Sequence, residues 1–454
     1  MVENELIDDN SLTYRTRLDG TPKLDSFFNK DGLLIRTYSW TVKKALGILV
    51  LIHGLNSHFR LEYLKHNADI ISNDKAVLID PDEYYIYKDS WIERLNNEGY
   101  SVYGIDLQGH GKSDGWQNLR GNVNYFDDLV YDVIQYINKI NSSVIKERVD
   151  PTEYSYSNYN YYFKNRLPNI VRPPLYIIGL SMGGNIALRA LELIGKSQEV
   201  HDNLNIKGCI SLAGMVSIDE NGSRIPFKYK YFFVPLSRYV AYFFPTFRPS
   251  PKMNFEKFPF INDIINFDKN RYDKWITMRF ARQILEATWN LQEDMKYIPK
   301  EIPLLFIHSK DDCACYYEGA EAFFNKLENN NKELHTLYDM DHLLTMEPGN
   351  EKVLDKVITW IKSIREEDTD NSSTQFMDDE NMLNAILQIE DEIINRTNER
   401  LNLEKQNNDD FIAQKENMEM FTVLLDNEND PCNIIDKELI ENNMTHSELE
   451  TVIN

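Results

Sequence analysis

The chain has 454 residues, more than one ordinary compact domain needs and enough for one large α/β domain with appendages. Its 42% hydrophobic and 12% aromatic content supports a sizeable core, and its net charge of −23 is concentrated: Glu366 to Asn454 carries 24 acidic and 5 basic residues, against 48 and 44 in the other 365. A near-neutral body with a polyanionic tail excludes the basic footprint of a nucleic-acid-binding protein, and four cysteines (Cys209, Cys313, Cys315, Cys432) are too few and too uneven for a disulfide framework.

In chain order, residues 1–30 read as an N-terminal extension. Met1 to Glu5 are acidic and polar, so no signal peptide is expected, and no run of 18 apolar residues spans a bilayer; the expected location is the cytoplasm. Apolar runs then predict strands at Leu33–Tyr38, Gly47–Ile52 and Tyr100–Ile105, with an amphipathic helix near Trp91–Leu95. Tyr125 to Ile140 has helical spacing of Phe126, Leu129, Val130, Val133 and Ile134. Further strands are expected at Leu175–Ile178, Lys207–Leu212, Pro303–Ile307 and Glu333–Tyr338, and a helix at Lys352–Ile364. Strands alternating with helices imply a mostly parallel sheet flanked by helices, built from 31–213 and 301–365. Three segments break the rhythm. The Tyr- and Asn-rich stretch 144–174 reads as a surface insertion. Residues 214–300, with the aromatic runs Phe227–Val234 and Tyr242–Pro245, read as an inserted helical cap over the site. Residues 366–454 read as an acidic extension of isolated helices and disordered links, suited to a basic partner.

Gly179-Leu180-Ser181-Met182-Gly183 lies between the strand Leu175–Ile178 and the helical run Asn185–Leu193. Strand, G-x-S-x-G, helix is the context of a nucleophile elbow, in which a sharp turn strains the serine and small residues on either side avoid collision. The helix N-terminus there favours negative charge on a reacting oxygen. A serine hydroxyl needs a base, and the base an orienting carboxylate. Of nine histidines, His335 falls within an expected strand and His342 follows it, so His342 is the expected base. The acid should follow the strand ending at Ile307, where Asp311 is the first choice and Asp312 the alternative. Met182 N–H, next to the nucleophile, and Leu55 N–H, in His53-Gly54-Leu55-Asn56-Ser57-His58, are the expected oxyanion donors. His53 is expected to brace that loop, and Cys313-Ala314-Cys315, lacking a second half, to be two buried or strand-edge thiols rather than a zinc site.

Leu51-Ile52-His53-Gly54, Asp106-Leu107-Gln108-Gly109-His110-Gly111-Lys112-Ser113 and Gly179-Leu180-Ser181-Met182-Gly183-Gly184 resemble the monoacylglycerol lipase/lysophospholipase (serine aminopeptidase S33-like) branch of the α/β-hydrolases. The Asn- and Lys-rich inserts with His53–His58 look like the lysophospholipases of malaria parasites. The resemblance, over Leu33 to Ile364, implies a Ser-His-Asp esterase acting on single-chain lipid esters without metal or cofactor, and a structural role for His110. Asn56-Ser57 departs from the Gly-Glu of the animal lipases, and the long insertion and acidic tail have no counterpart in the compact ones. The expected activity is lysophospholipase- or monoacylglycerol lipase-type ester hydrolysis through an acyl-enzyme, with peripheral membrane contact through the aromatic cap. A short-chain carboxylesterase or thioesterase is the alternative within the chemistry, and a catalytically silent binding protein the alternative outside it.

Overall fold

The computed structural model describes residues 17–148, 173–196, 204–217, 241–248 and 254–370, all within the compact unit Met1–Ala385. Eight strands form one sheet in the order β1-β2-β8-β3-β9-β10-β11-β12. These are β1 (Lys23–Phe28), β2 (Leu34–Trp40), β3 (Gly47–Ile52), β8 (Tyr100–Ile105), β9 (Leu175–Leu180), β10 (Ile206–Leu212), β11 (Leu304–Ser309) and β12 (Lys332–Leu337). β1, β2 and β8 run antiparallel to their neighbours in turn, and from β8 onward the sheet is parallel. Every residue of β3 and β9 is buried. That is why they are continuous apolar runs rather than alternating ones: helices cover both faces of the parallel part.

The covering helices are α2 (Trp91–Asn97), α3 (Phe126–Arg148), α4 (Met182–Gly195), α7 (Tyr317–Lys326) and α8 (Asn350–Asp370). Ser90 starts α2 by accepting from Glu93 N–H at 3.2 Å. Between β3 and α2 lie a single-turn helix, α1 (Phe59–Tyr63), and the short ribbons β4 (Lys65–His66) with β7 (Tyr85–Ile86) and β5 (Ala68–Ser72) with β6 (Lys75–Leu78). From β3 the chain reaches β8 on one side and then β9 on the other. The order therefore reverses beside β3, and the crevice outside the C-terminal ends of β3 and β9 is where such sheets bind ligands.

Several boundaries differ from the sequence reading. The expected N-terminal extension contains β1, an edge strand whose mostly exposed Lys-Leu-Asp-Ser-Phe-Phe gives no strong apolar signal. The expected cap is divided. Its helix α6 (Met278–Asp294) docks on the core: buried Arg189 of α4 pairs with Asp127 of α3 at 3.0 Å and with Asp294 at 2.5 Å, and Gln283 Oε1 accepts Phe126 N–H at 3.0 Å. The stretch before it, including α5 (Phe260–Phe267), is tied instead to the β5–β6 ribbon through Phe260 N–H to Asn73 O and Ala76 N–H to Asp263. α8 continues to Asp370, past the expected start of the tail at 366. The remaining tail, residues 149–172 of the insertion and the run Phe227–Val234 lie outside the described residues. No described helix is long and apolar enough to cross a membrane.

Phe59 of α1 is fully buried against Tyr38, Trp40 and Tyr63, with ring centroids 5.8, 5.7 and 5.4 Å away. Phe59→Ala is expected to cost about 3–5 kcal/mol, the usual range for a buried ring. A shift in the urea unfolding midpoint measures it, and an unchanged midpoint would mean that α1 is not part of the cooperative core.

Candidate active site

β9 ends at Leu180 and α4 begins at Met182, so Ser181 alone makes the turn, with φ 56° and ψ −118°. Few non-glycine residues hold such a conformation, which costs about 1–3 kcal/mol and persists only where the surroundings enforce it. Here Ser181 N–H donates to Leu212 O at 2.8 Å, and Met215 N–H donates to Ser181 O at 3.0 Å. The approach is too close for side chains. A Cβ on Gly179 would sit 2.0 Å from Gly183 O, and one on Gly183 would sit 2.4 Å from Ile52 O.

The loop after β12 brings His342 to Ser181, whose hydroxyl donates to His342 Nε2 at 2.8 Å. On the far side of the ring, His342 Nδ1 donates to both Asp312 oxygens, at 2.9 and 3.0 Å. The acid facing the ring is therefore the alternative, Asp312, and not Asp311. Asp311 turns outward and its side chain, 52% exposed, pairs with Lys257 at 2.7 Å. The reason is local: β11 runs on to Ser309, two residues past the expected end, and the turn that follows points Asp311 and Asp312 in opposite directions. Asp312 Oδ1 also accepts Ala314 N–H at 2.9 Å and Cys315 N–H at 2.7 Å, and Oδ2 lies 3.3 Å from His308 Nε2. His308 was not singled out by sequence; its only signal is its place at the end of β11, four residues before Asp312.

These partners set the charges. Burial resists ionisation of Asp312, but the His342 charge and the hydrogen bonds from His308 and His342 hold its carboxyl well below the ordinary carboxylate range. Burial likewise opposes a charge on His342, and the Asp312 carboxylate outweighs it, raising the imidazole above its ordinary 6.5.

The loop after β3 completes the arrangement. A Cβ on Gly54 would lie 3.1 Å from Ser181 Cβ, a tighter contact than most side chains make, so glycine eases the close approach of this loop. Among the described residues, neither Leu55 N–H nor Met182 N–H has a hydrogen-bond partner. His53 holds the loop in place: its Nδ1 donates to Gly54 O at 2.7 Å and its Nε2 accepts Leu107 N–H at 2.9 Å. Full burial pushes His53 well below 6.5, in keeping with the neutral tautomer those bonds require. Two buried carboxyls missed by sequence also hold loops. Glu62 accepts Gly54 N–H on both oxygens at 3.0 Å, and burial lifts it to about 8 against the pull of Gly54 and Ser57. Glu347 accepts Asp341 N–H at 2.5 Å and Leu343 N–H at 2.6 Å on either side of His342, and burial lifts it to about 7. Neither carries a local motif; each is found only by its tertiary partners.

His335 lies on β12, apart from Ser181, and His110 packs edge-on to Phe280 while donating from Nδ1 to Gln108 O at 2.9 Å. Cys313 is exposed, whereas Cys315 is buried beside the Ser181 side chain. Ser181 and His342 stand in the wall of a cavity of about 920 Å³ lined by Leu55, Met215, Trp275, Ile284, Leu343 and Met346 among others.

A family model described as serine aminopeptidase, S33, matches residues 82–152 and 154–349. Among solved structures, a soluble variant of monoglyceride lipase from Saccharomyces cerevisiae in complex with a substrate analog is similar at TM-score 0.55 and 17% identity, over 80% of this chain and 99% of that one. The monoacylglycerol lipase of Paleococcus ferrophilus is similar at TM-score 0.48 and 17% identity, over 73% and 99%. An esterase from Exiguobacterium antarcticum is similar at TM-score 0.43 and 16% identity, over 74% and 98%. No curated protein matches the chain. The fold is that of the α/β-hydrolases.

The arrangement makes the His342 ring a reporter of its carboxylate partner. In NMR titrations, Asp312→Asn is expected to lower the His342 pKa by a unit or more, since an opposite charge at this distance shifts a pKa by about 1–3 units. Asp311→Asn should leave it in place. The reverse pattern would restore Asp311 as the partner.

Proposed function

The chain belongs to the serine aminopeptidase S33 family of α/β-hydrolases, and from that membership and its site we propose that it hydrolyses carboxylic esters, with Ser181 as nucleophile, His342 as base and Asp312 as orienting acid. The observation that carries this reading is the unbroken run of hydrogen bonds from Ser181 Oγ through His342 to Asp312, set in the wall of a large, partly apolar cavity. Ser181 Oγ attacks the ester carbonyl as its proton passes to His342 Nε2. The oxyanion is met by Leu55 and Met182 N–H groups, which are already positioned and lose no other partner when it forms. His342 returns the proton to the leaving alcohol, which departs as the acyl-enzyme forms. Water then gives its proton to His342 and its oxygen to the acyl carbon, and Ser181 is regenerated with the free acid.

For substrate we favour a single-chain lipid ester, a lysophospholipid or a monoacylglycerol. The cavity has room for an acyl chain, and the segment over it presents Phe255, Ile265 and Trp275 inward. Outward, Tyr242, Phe243, Phe244 and Phe247 are each about half exposed or more, as suits contact with an aggregated substrate. The yeast protein of this fold was solved as a monoglyceride lipase with a substrate analog.

The test is turnover of p-nitrophenyl esters from acetate to palmitate, beside lysophosphatidylcholine and monoacylglycerol. Activity should peak on long chains, fall on the order of 10⁶-fold in Ser181→Ala and about 10⁴-fold in Asp312→Asn, and stay near wild type in Asp311→Asn. A short-chain optimum would replace the lipid assignment by a general esterase. No turnover and no labelling by a fluorophosphonate in folded wild type would overturn the enzyme reading in favour of a binding protein. Because the base must be neutral, kcat/KM should rise with pH through the His342 pKa, a midpoint above 6.5, and flatten beyond it. Phe243→Ser with Phe244→Ser should lower turnover of micellar long-chain ester by about tenfold or more, from the ~1.5–3 kcal/mol a phenyl ring gains by burial. The same variant should leave a soluble short-chain ester untouched; equal loss on both would assign these rings to the fold instead.

A further inference from the structure

A second cavity, of about 300 Å³, is lined by the cations Arg17, Arg60, Lys112 and Lys269 and by the acids Asp19, Asp82 and Glu83. Arg60 is 8% exposed, and its guanidinium makes no ion pair or hydrogen bond among the described residues; its Nε is fully buried without a partner. A buried arginine is ordinarily paired. This one rests instead against the rings of Tyr85 and Tyr38, 4.5 and 5.2 Å from their centroids. Aromatic faces leave the in-plane N–H fork unused, and that fork fits phosphate and carboxylate oxygens.

Lys112 borders the same cavity and also has no ion pair among the described residues. Its ammonium is held below its ordinary value, by burial first and then by the neighbouring Arg60, Arg17 and Arg36, with Asp106 opposing. Of the acids that line the cavity, Asp19 pairs with Arg17 and accepts Thr21 N–H, Asp82 pairs with Lys269 at 3.0 Å, and among the described residues Glu83 is held by the backbone N–H of Leu18 alone. Asp106 accepts from Tyr38 hydroxyl, Lys112 N–H and Phe59 N–H. Arg60 and Lys112 are therefore the cations of this cavity that have no ion pair among the described residues.

We propose that this cavity is a binding site for a phosphate group, held by Arg60 through its guanidinium fork and by Lys112 as a point charge. These are the cations of this cavity without an ion pair among the described residues, and a phosphate group has enough acceptor oxygens to take the Arg60 fork and the Lys112 ammonium together. The assignment does not depend on the ester-hydrolase reading, because its test measures binding and not turnover.

The experiment titrates the full chain with inorganic phosphate by calorimetry and thermal unfolding at constant ionic strength, with chloride as the control. A second arm measures cosedimentation with phosphatidylcholine vesicles that contain or lack phosphatidic acid. Saturable phosphate binding that raises Tm, weakened about tenfold or more in Lys112→Gln and lost in Arg60→Gln, supports the site with a free phosphate or small ester as ligand. Cosedimentation that needs phosphatidic acid and Lys112, without binding of free phosphate, supports it with a lipid headgroup as ligand. If Arg60→Gln does not fold, Lys112→Gln with unchanged circular dichroism decides. Absence of binding in both arms, or equal binding by wild type and a folded Lys112→Gln, overturns the proposal.

Discussion

Backbone meets backbone at Ser181 more closely than any side chain would permit, and the rest of the site is arranged around that contact. The strand β9 passes into α4 with one residue between them, so the first turn of α4 lies over the ends of β3 and β10. The Gly183 position is pressed on Ile52 and His53 carbonyls, and the Gly184 position on Gly214 and Ser211. The unfavourable φ of Ser181 is stabilised by bonds to the backbone at Leu212, the last residue of β10, and at Met215 in the loop after it. A sheet buried on both faces deforms little, so the hydroxyl has one place to be: above the C-terminal edge, at the positive end of a 14-residue helix.

The carboxyls around this hydroxyl do two different kinds of work, and burial separates them. Asp312 faces His342 and His308, whose charge and hydrogen bonds favour its ionised form. Glu62 and Glu347 are held mainly by backbone N–H groups, and burial raises them to about 8 and about 7 against those bonds and the His342 charge. Burial thus disfavours the charged form of Glu62. A fully ionised carboxylate under Gly54 would oppose negative charge developing on the substrate oxygen beside the same loop; a protonated one holds the loop without that penalty. The three buried acids are thus shifted in different directions because their partners differ.

What was legible in the chain follows the range of the interactions. Strands buried on both faces show themselves as apolar runs, and β3 and β8 have the expected ends. Ser181 was legible because the elbow is a local device of five residues. The choice between Asp311 and Asp312 was not, since it turns on where β11 ends, and a shift of one residue reverses the direction in which a side chain points. β1 escaped because an edge strand exposed to water needs little apolar content. His58 and Asp268, bonded at 3.0 Å across 210 residues of sequence, have no local signature. The same holds for Glu62, whose role exists only because Gly54 folds back onto it.

α1 shows how closely the parts are joined. Five residues make too short a helix to persist alone, so α1 is held by its anchors: Phe59 N–H to Asp106, Tyr63 hydroxyl to Ile52 O, and Glu62 to Gly54 N–H. His58, at its N-cap, is fastened to Asp268, and Tyr85 donates to that same carboxylate at 2.7 Å. Arg60 and Glu62, two residues apart, border different cavities, one beside Lys112 and one beside Ser181. All five side chains of α1 are buried. The turn is thus bonded to Gly54 on one side and, through His58, to Asp268 on the other.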